Sequence, residues 1–89
     1  MPSVARLGDT SDHGGSIISS ASKTIVEGIL VARVGDMHSC PIPGHGVTAI
    51  TSGSSTFICE GAATAVVGSV CGCGATINSG ASTTFAPLG

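Results

Sequence analysis

Eighty-nine residues and 8.5 kDa hold one small domain, with little room for an enclosed catalytic cleft beside a core. Only Phe57 and Phe85 are aromatic, and three Lys+Arg stand against five Asp+Glu for a net charge of −2, so the chain offers neither a basic stripe nor a stacking platform and nucleic-acid binding is excluded. No apolar run approaches the roughly 18 residues of a membrane span, and Met1 to Asp9 lacks the apolar stretch of a secretory signal, so the chain is expected to be made in the cytoplasm.

From the N-terminus, Val4-Ala5-Arg6-Leu7-Gly8-Asp9 is followed by His13-Gly-Gly-Ser-Ile17 and by Ser22-Lys-Thr-Ile-Val-Glu-Gly28. The same three elements return as Val31-Ala32-Arg33-Val34-Gly35-Asp36, His45-Gly-Val-Thr-Ala-Ile50 and Ser55-Thr-Phe-Ile-Cys-Glu-Gly61. A looser third copy reads Thr64-Ala65-Val66-Val67-Gly68-Ser69, Cys73-Gly-Ala-Thr-Ile77 and Ser82-Thr-Thr-Phe-Ala-Pro87. This is the signature of an internal repeat. One domain over 1–89 is expected, with units of approximately 1–28, 29–61 and 62–89.

Residues 24–34 and 56–67 are rich in Val, Ile, Ala and Thr and are broken by Glu27-Gly28 and Glu60-Gly61, which predicts strand, turn and strand. No window holds a helical stripe, so helices should be minor or absent. Units this small cannot bury a face alone and must lean on one another around a pseudo-threefold axis. The fold class expected is mainly β, with Ile17, Ile50 and Ile77 equivalent and inside. Asp9 and Asp36 read as turn residues, because Ser69 takes the third place and Asp caps its own turn. Asp12 and His13, adjacent in an extended segment, are expected to point to opposite faces.

Gly, Ser, Thr and Ala, at 14, 13, 9 and 10 residues, make up about half the chain, so the core is thin and a staple is expected. His13, His45 and Cys73 read as equivalent ligands converging near the axis, and zinc takes imidazole nitrogen and thiolate sulfur. His38 is the preferred fourth donor, with Cys71 and Cys40 as alternatives. Cys59 aligns with Val26 and reads as a core residue. Disulfides are disfavoured by the reducing compartment.

The motifs resemble those of the PAAR-repeat family, with Ser3-Val-Ala-Arg6 and Leu30-Val-Ala-Arg33 standing where Pro-Ala-Ala-Arg would, and Ala63-Thr-Ala-Val66 lacking the Arg. The resemblance implies a small pseudo-threefold β cone with one structural zinc held by three His and one Cys, here His13, His38, His45 and Cys73. It further implies a non-enzymatic role. One chain would cap a trimeric VgrG-type spike of a type VI secretion system, accompany effectors, and meet the target membrane transiently; the tip of a contractile phage tail is the alternative. No fused effector is expected. A small zinc hydrolase fits less well, since catalytic zinc keeps an open water position beside a general base, and here four protein donors are available and the repeat places no carboxylate as base.

Overall fold

Two Glu-Gly pairs set the hairpins. Glu27 and Gly28 both have positive φ, at 53° and 82°, as do Glu60 and Gly61 at 49° and 85°. Successive positive φ values make the tight turn whose twist matches paired strands. The first turn joins β2 (Ile25–Val26) to β3 (Ile29–Leu30), and the second joins β6 (Ile58–Cys59) to β7 (Ala62–Ala63). The remaining strands, β1 (Ser16–Ile17), β4 (Met37–Cys40) and β5 (Gly46–Ala49), form an antiparallel sheet in the order β1-β4-β5. The computed structural model describes residues 2–41, 44, 46–54 and 56–87, and among the described residues there is no helix.

The third hairpin is built from both ends of the chain. Ser3 pairs with Phe85, and the Ala86 amide donates to the Pro2 carbonyl at 2.9 Å. Ser3 thereby takes the place of Leu30 and Ala63: the amides of Leu7, Val34 and Val67 donate to Leu30, Ala63 and Ser3 respectively, each at 2.8 Å.

Nearer the axis the symmetry closes into a ring. The Ala32 amide donates to Ala5, Ala65 to Ala32 and Ala5 to Ala65, at 3.0, 3.0 and 2.8 Å. Three backbones meet there, all three alanines are fully buried, and a side chain larger than methyl would hold the segments apart. The pairs Arg6 with Val31, Arg33 with Thr64 and Val66 with Val4 repeat the same step from one unit to the next.

Two apolar clusters stack along this axis. One contains Ile17, Ile50 and Ile77, each 1% exposed, with the three alanines, Cys71 and Ala75. The other contains Val4, Val31, Val66, Cys59 and Ala86 and carries the hairpins through Val26. The whole is a small β cone of 32 × 24 × 23 Å. The Gly-Asp turns are capped as expected: the Arg6 and Arg33 amides donate to Asp9 and Asp36 at 2.7 Å, and the Val66 amide donates to Ser69 at 3.0 Å. Arg33 also pairs with Asp36 at 3.2 Å, which raises its pKa. In the third unit the Arg and its Asp are replaced together, by Val66 and Ser69.

Thr64 occupies the position of Val4 and Val31, is fully buried, and its hydroxyl has no partner among the described residues. An unpaired buried hydroxyl costs about 1–3 kcal/mol, whereas Val has nearly the same shape. Thr64→Val is therefore expected to raise stability by about 1 kcal/mol in denaturant titration, within that range.

Candidate metal centre

The segment after each Gly-Asp turn doubles back on itself. Thr10 pairs with Ser16, Met37 with Ala49 and Val70 with Thr76, so the three turn-backs are in register. In the first and third units the reversal is tight, with the Gly14 and Gly74 amides donating to Ser11 and Cys71 at 3.0 and 2.9 Å. In the second unit the reversal is longer, and the pairing continues through Ser39 with Val47 to Cys40 with Gly46.

This register places Cys40, rather than His45, at the position of His13 and Cys73. The three side chains converge: one donor atom from each of His13, Cys40 and Cys73 lies within 4.8 Å of the others. The Cys40 Sγ is 3.5 Å from His13 Nδ1. Ligands on one tetrahedral zinc are separated by about 3.5 Å, given Zn–S near 2.3 Å and Zn–N near 2.0 Å. The soft N/S donor set and its spacing fit a metal ion such as zinc. His45 lies outside the described residues; in sequence it adjoins Gly46, the partner of Cys40.

His38, expected as the fourth ligand, does not join this group. It lies two residues further in along β4, fully buried, with its Nε2 2.7 Å from the Ser11 Oγ and its Nδ1 without a partner among the described residues. Burial, and then the neighbouring His13, lower its pKa, with Asp12 acting in opposition, which favours the neutral ring. Ser11, His38 and Cys71 are repeat equivalents and all are buried, so they form a layer beneath the three converging donors. Burial first, then Cys73, Cys40 and Asp12, push the Cys71 thiol up to about 11. A thiol held protonated in this way is a poor ligand.

Cys73 behaves differently. Burial raises its pKa, but the Thr48 hydroxyl, the Ala75 amide, the Cys40 thiol and its own amide together outweigh burial and bring it below the usual thiol range. Thr48 Oγ1 is buried without a partner of good hydrogen-bond geometry, and it bears on the Cys73 sulfur. Its methyl side packs where the chain passes Gly72, whose amide donates to Ala49 at 2.9 Å.

Asp12 corrects a sequence expectation. Residues 12 and 13 form part of a turn and are not extended, so the Asp12 carboxylate lies 4.0 Å from His13 Nε2 while also accepting the Thr76 amide at 2.9 Å. At that distance the carboxylate is a neighbouring charge and not a hydrogen-bond partner of the ring. The sequence reading held Cys40 only as an alternative to His38 for the fourth place, and set Asp12 apart from His13. For Cys40 a signal was available: it falls four residues after Asp36, as His13 follows Asp9 and Cys73 follows Ser69.

No curated protein matches the chain. The sequence profile of the PAAR motif does match, over residues 7–79, and that span runs from the first Gly-Asp turn through all three members of the converging triad. The chain belongs to the PAAR motif family.

Proposed function

We propose that the chain is the zinc-stabilised tip of a trimeric VgrG-type spike in a contractile injection machine, a structural part with no turnover of substrate. The reading rests on the PAAR motif match, and one structural observation carries it further. The two ends of the pseudo-threefold axis differ in chemistry. The converging donors adjoin the isoleucine cluster at one end, through Cys73. At the other, the hairpins expose Ile25, Ile58 and Phe85 at equivalent positions, 60, 58 and 49% accessible. A ring of three similar apolar side chains suits the end of a threefold partner, where one monomer meets three identical strand ends at once.

Zinc would be held by His13, Cys40 and Cys73 with His45 as fourth donor, closing a structural site and stiffening the narrow end. The chain's own residues prepare that site: Asp12 places a negative charge beside His13, Thr48 and the Ala75 amide favour the Cys73 thiolate, and Asp9 and Asp36 are engaged as turn caps. In this proposal the chain is made in the cytoplasm, leaves with the spike, meets the target membrane transiently, and travels with effectors.

Mass determination of the complex with a trimeric spike tests the reading. One chain per trimer is expected, and Ile58→Asp should weaken binding at least about tenfold, the loss of one apolar contact plus a buried charge, while leaving metal content unchanged. Three chains per trimer, or an unaffected Ile58→Asp complex, would overturn it.

A further inference from the structure

The converging donors bring together two sulfurs from different units. All four cysteines of the chain are thiols. Cys59 lies in the cluster beneath the hairpins, and Cys71 is packed among the isoleucines, 2% exposed, in the layer under the donors. Cys40 and Cys73 meet: their Sγ atoms lie within 4.8 Å of each other, and the Cys40 thiol is a hydrogen-bond partner of the Cys73 sulfur.

The chain positions of the pair favour closure. Cys40 is the last residue of β4, and Cys73 stands in the third unit's reversal between Gly72 and Gly74, where the Gly74 amide donates to the Cys71 carbonyl at 2.9 Å. A disulfide needs the sulfurs at about 2.05 Å, a closure that side-chain rotation and a small shift at a strand end and a turn supply without moving the alanine ring. The two sulfurs also differ in access. Cys40 is buried, 6% exposed, whereas Cys73 is half-buried, so a solute in solvent reaches Cys73 first.

We propose that Cys40 and Cys73 are a peroxide-reactive pair, Cys73 the attacking sulfur and Cys40 the resolving one, which closes into a disulfide joining the second and third units. The Cys73 thiolate attacks one oxygen of a hydroperoxide, the O–O bond breaks, and hydroxide leaves, giving a sulfenic acid at Cys73. The Cys40 sulfur then attacks that sulfur, the S–S bond forms, and the remaining oxygen departs as water with the Cys40 thiol proton. The two sulfurs together lose two electrons, and hydrogen peroxide, taking one further proton from solvent, becomes two waters. Thiolates are the metal-binding form of cysteine, so closure removes both sulfur donors and leaves a covalent bridge across the same two units in place of the ion. The chemistry needs the two sulfurs alone. Its setting rests on the spike-tip reading, in which the chain passes from a reducing cytoplasm to an oxidising exterior.

The test uses the full chain, purified under reductant, with metal content measured before hydrogen peroxide is added in excess. Remaining thiols are alkylated and the chain is cut after Glu60, which parts Cys40 and Cys59 from Cys71 and Cys73. The two fragments should stay joined through Cys40 and Cys73, two hydrogens lighter than the reduced pair, with Cys59 and Cys71 alkylated. A chromophoric chelator should take up the released ion in step with the cross-link. The cross-linked chain should melt at least about 5 °C above the reduced, chelator-stripped chain, because the bridge restricts the unfolded state. In Cys40→Ser the fragments should separate and Cys73 should advance to the sulfinic acid. A bond from Cys73 to Cys71, or recovery of Cys40 and Cys73 as alkylated thiols or as sulfinic acids, overturns the proposal. A cross-link formed in protein that carried no metal supports the pair and counts against the zinc site alone.

Discussion

Cys73→Ser is expected to drop the melting temperature by more than about 10 °C and to bring metal content well below one ion per chain. A hydroxyl is a weak zinc donor, and metal binding that exists only in the folded chain contributes directly to folding, on the order of 10 kcal/mol for structural zinc. The alanine ring and the isoleucine cluster persist without the ion, so only part of that contribution is lost. In a domain this size each kcal/mol corresponds to roughly 4–8 °C, so even two or three are plainly measurable by calorimetry. Cys40→Ser should behave in the same way, because Cys40 is the repeat equivalent of Cys73 and sits 3.5 Å from His13 Nδ1. Cys59→Val is the control. Cys59 is buried in the cluster beneath the hairpins, and a small apolar replacement should leave both metal content and melting almost unchanged.

Gly15→Ala should be as damaging, by a different route. A Cβ on Gly15 would overlap the Ser39 carbonyl oxygen and lie 2.8 Å from Cε1 and Nε2 of the His38 ring. Neither can yield cheaply. Ser39 is in the middle strand of the sheet, and His38 is fully buried and engaged with Ser11. Relief requires β4 to move, and β4 carries Cys40. We expect a loss of roughly 3 kcal/mol, at the upper end for overpacking, together with weakened metal retention in a chelator challenge. Gly14→Ala provides the contrast: among the described residues the nearest atom to its Cβ is 3.8 Å away, and its φ of +83° leaves backbone strain of about 1 kcal/mol.

The parts of this fold that were legible in the sequence are those written in local spacing. Glu27-Gly28 and Glu60-Gly61 announce hairpins because each interrupts a run rich in Val, Ile, Ala and Thr and supplies a Gly for the turn. The three isoleucines were identifiable because each stands a fixed distance before its unit's next loop. His13 and Cys73 were identifiable because each precedes a glycine in the same place. Cys40 was obscured by the longer reversal of the second unit: ten positions separate it from Ile50, against four in the other units, and this drew the eye to His45-Gly46 instead. His38 looked like a ligand by residue type, and it shares the buried face of β4 with Cys40, but it stands two residues further along the strand and meets Ser11 in the layer below. The clamps in which Glu60 accepts the Thr24 amide and Glu27 accepts the Thr83 amide could not be read at all. They join residues 36 to 56 positions apart, and nothing in their immediate neighbourhoods distinguishes a clamping Glu from a solvated one. The same holds for the third hairpin, whose two strands come from opposite ends of the chain.

X-ray absorption at the zinc edge, combined with metal analysis of protein purified without added metal, tests the central claim most directly. The proposed site predicts about one zinc per chain bound by two sulfurs, from Cys40 and Cys73, and two nitrogens, from His13 and His45. Protein that is folded and metal-free, or a shell of one sulfur and three nitrogens that returns the fourth place to His38, would contradict it.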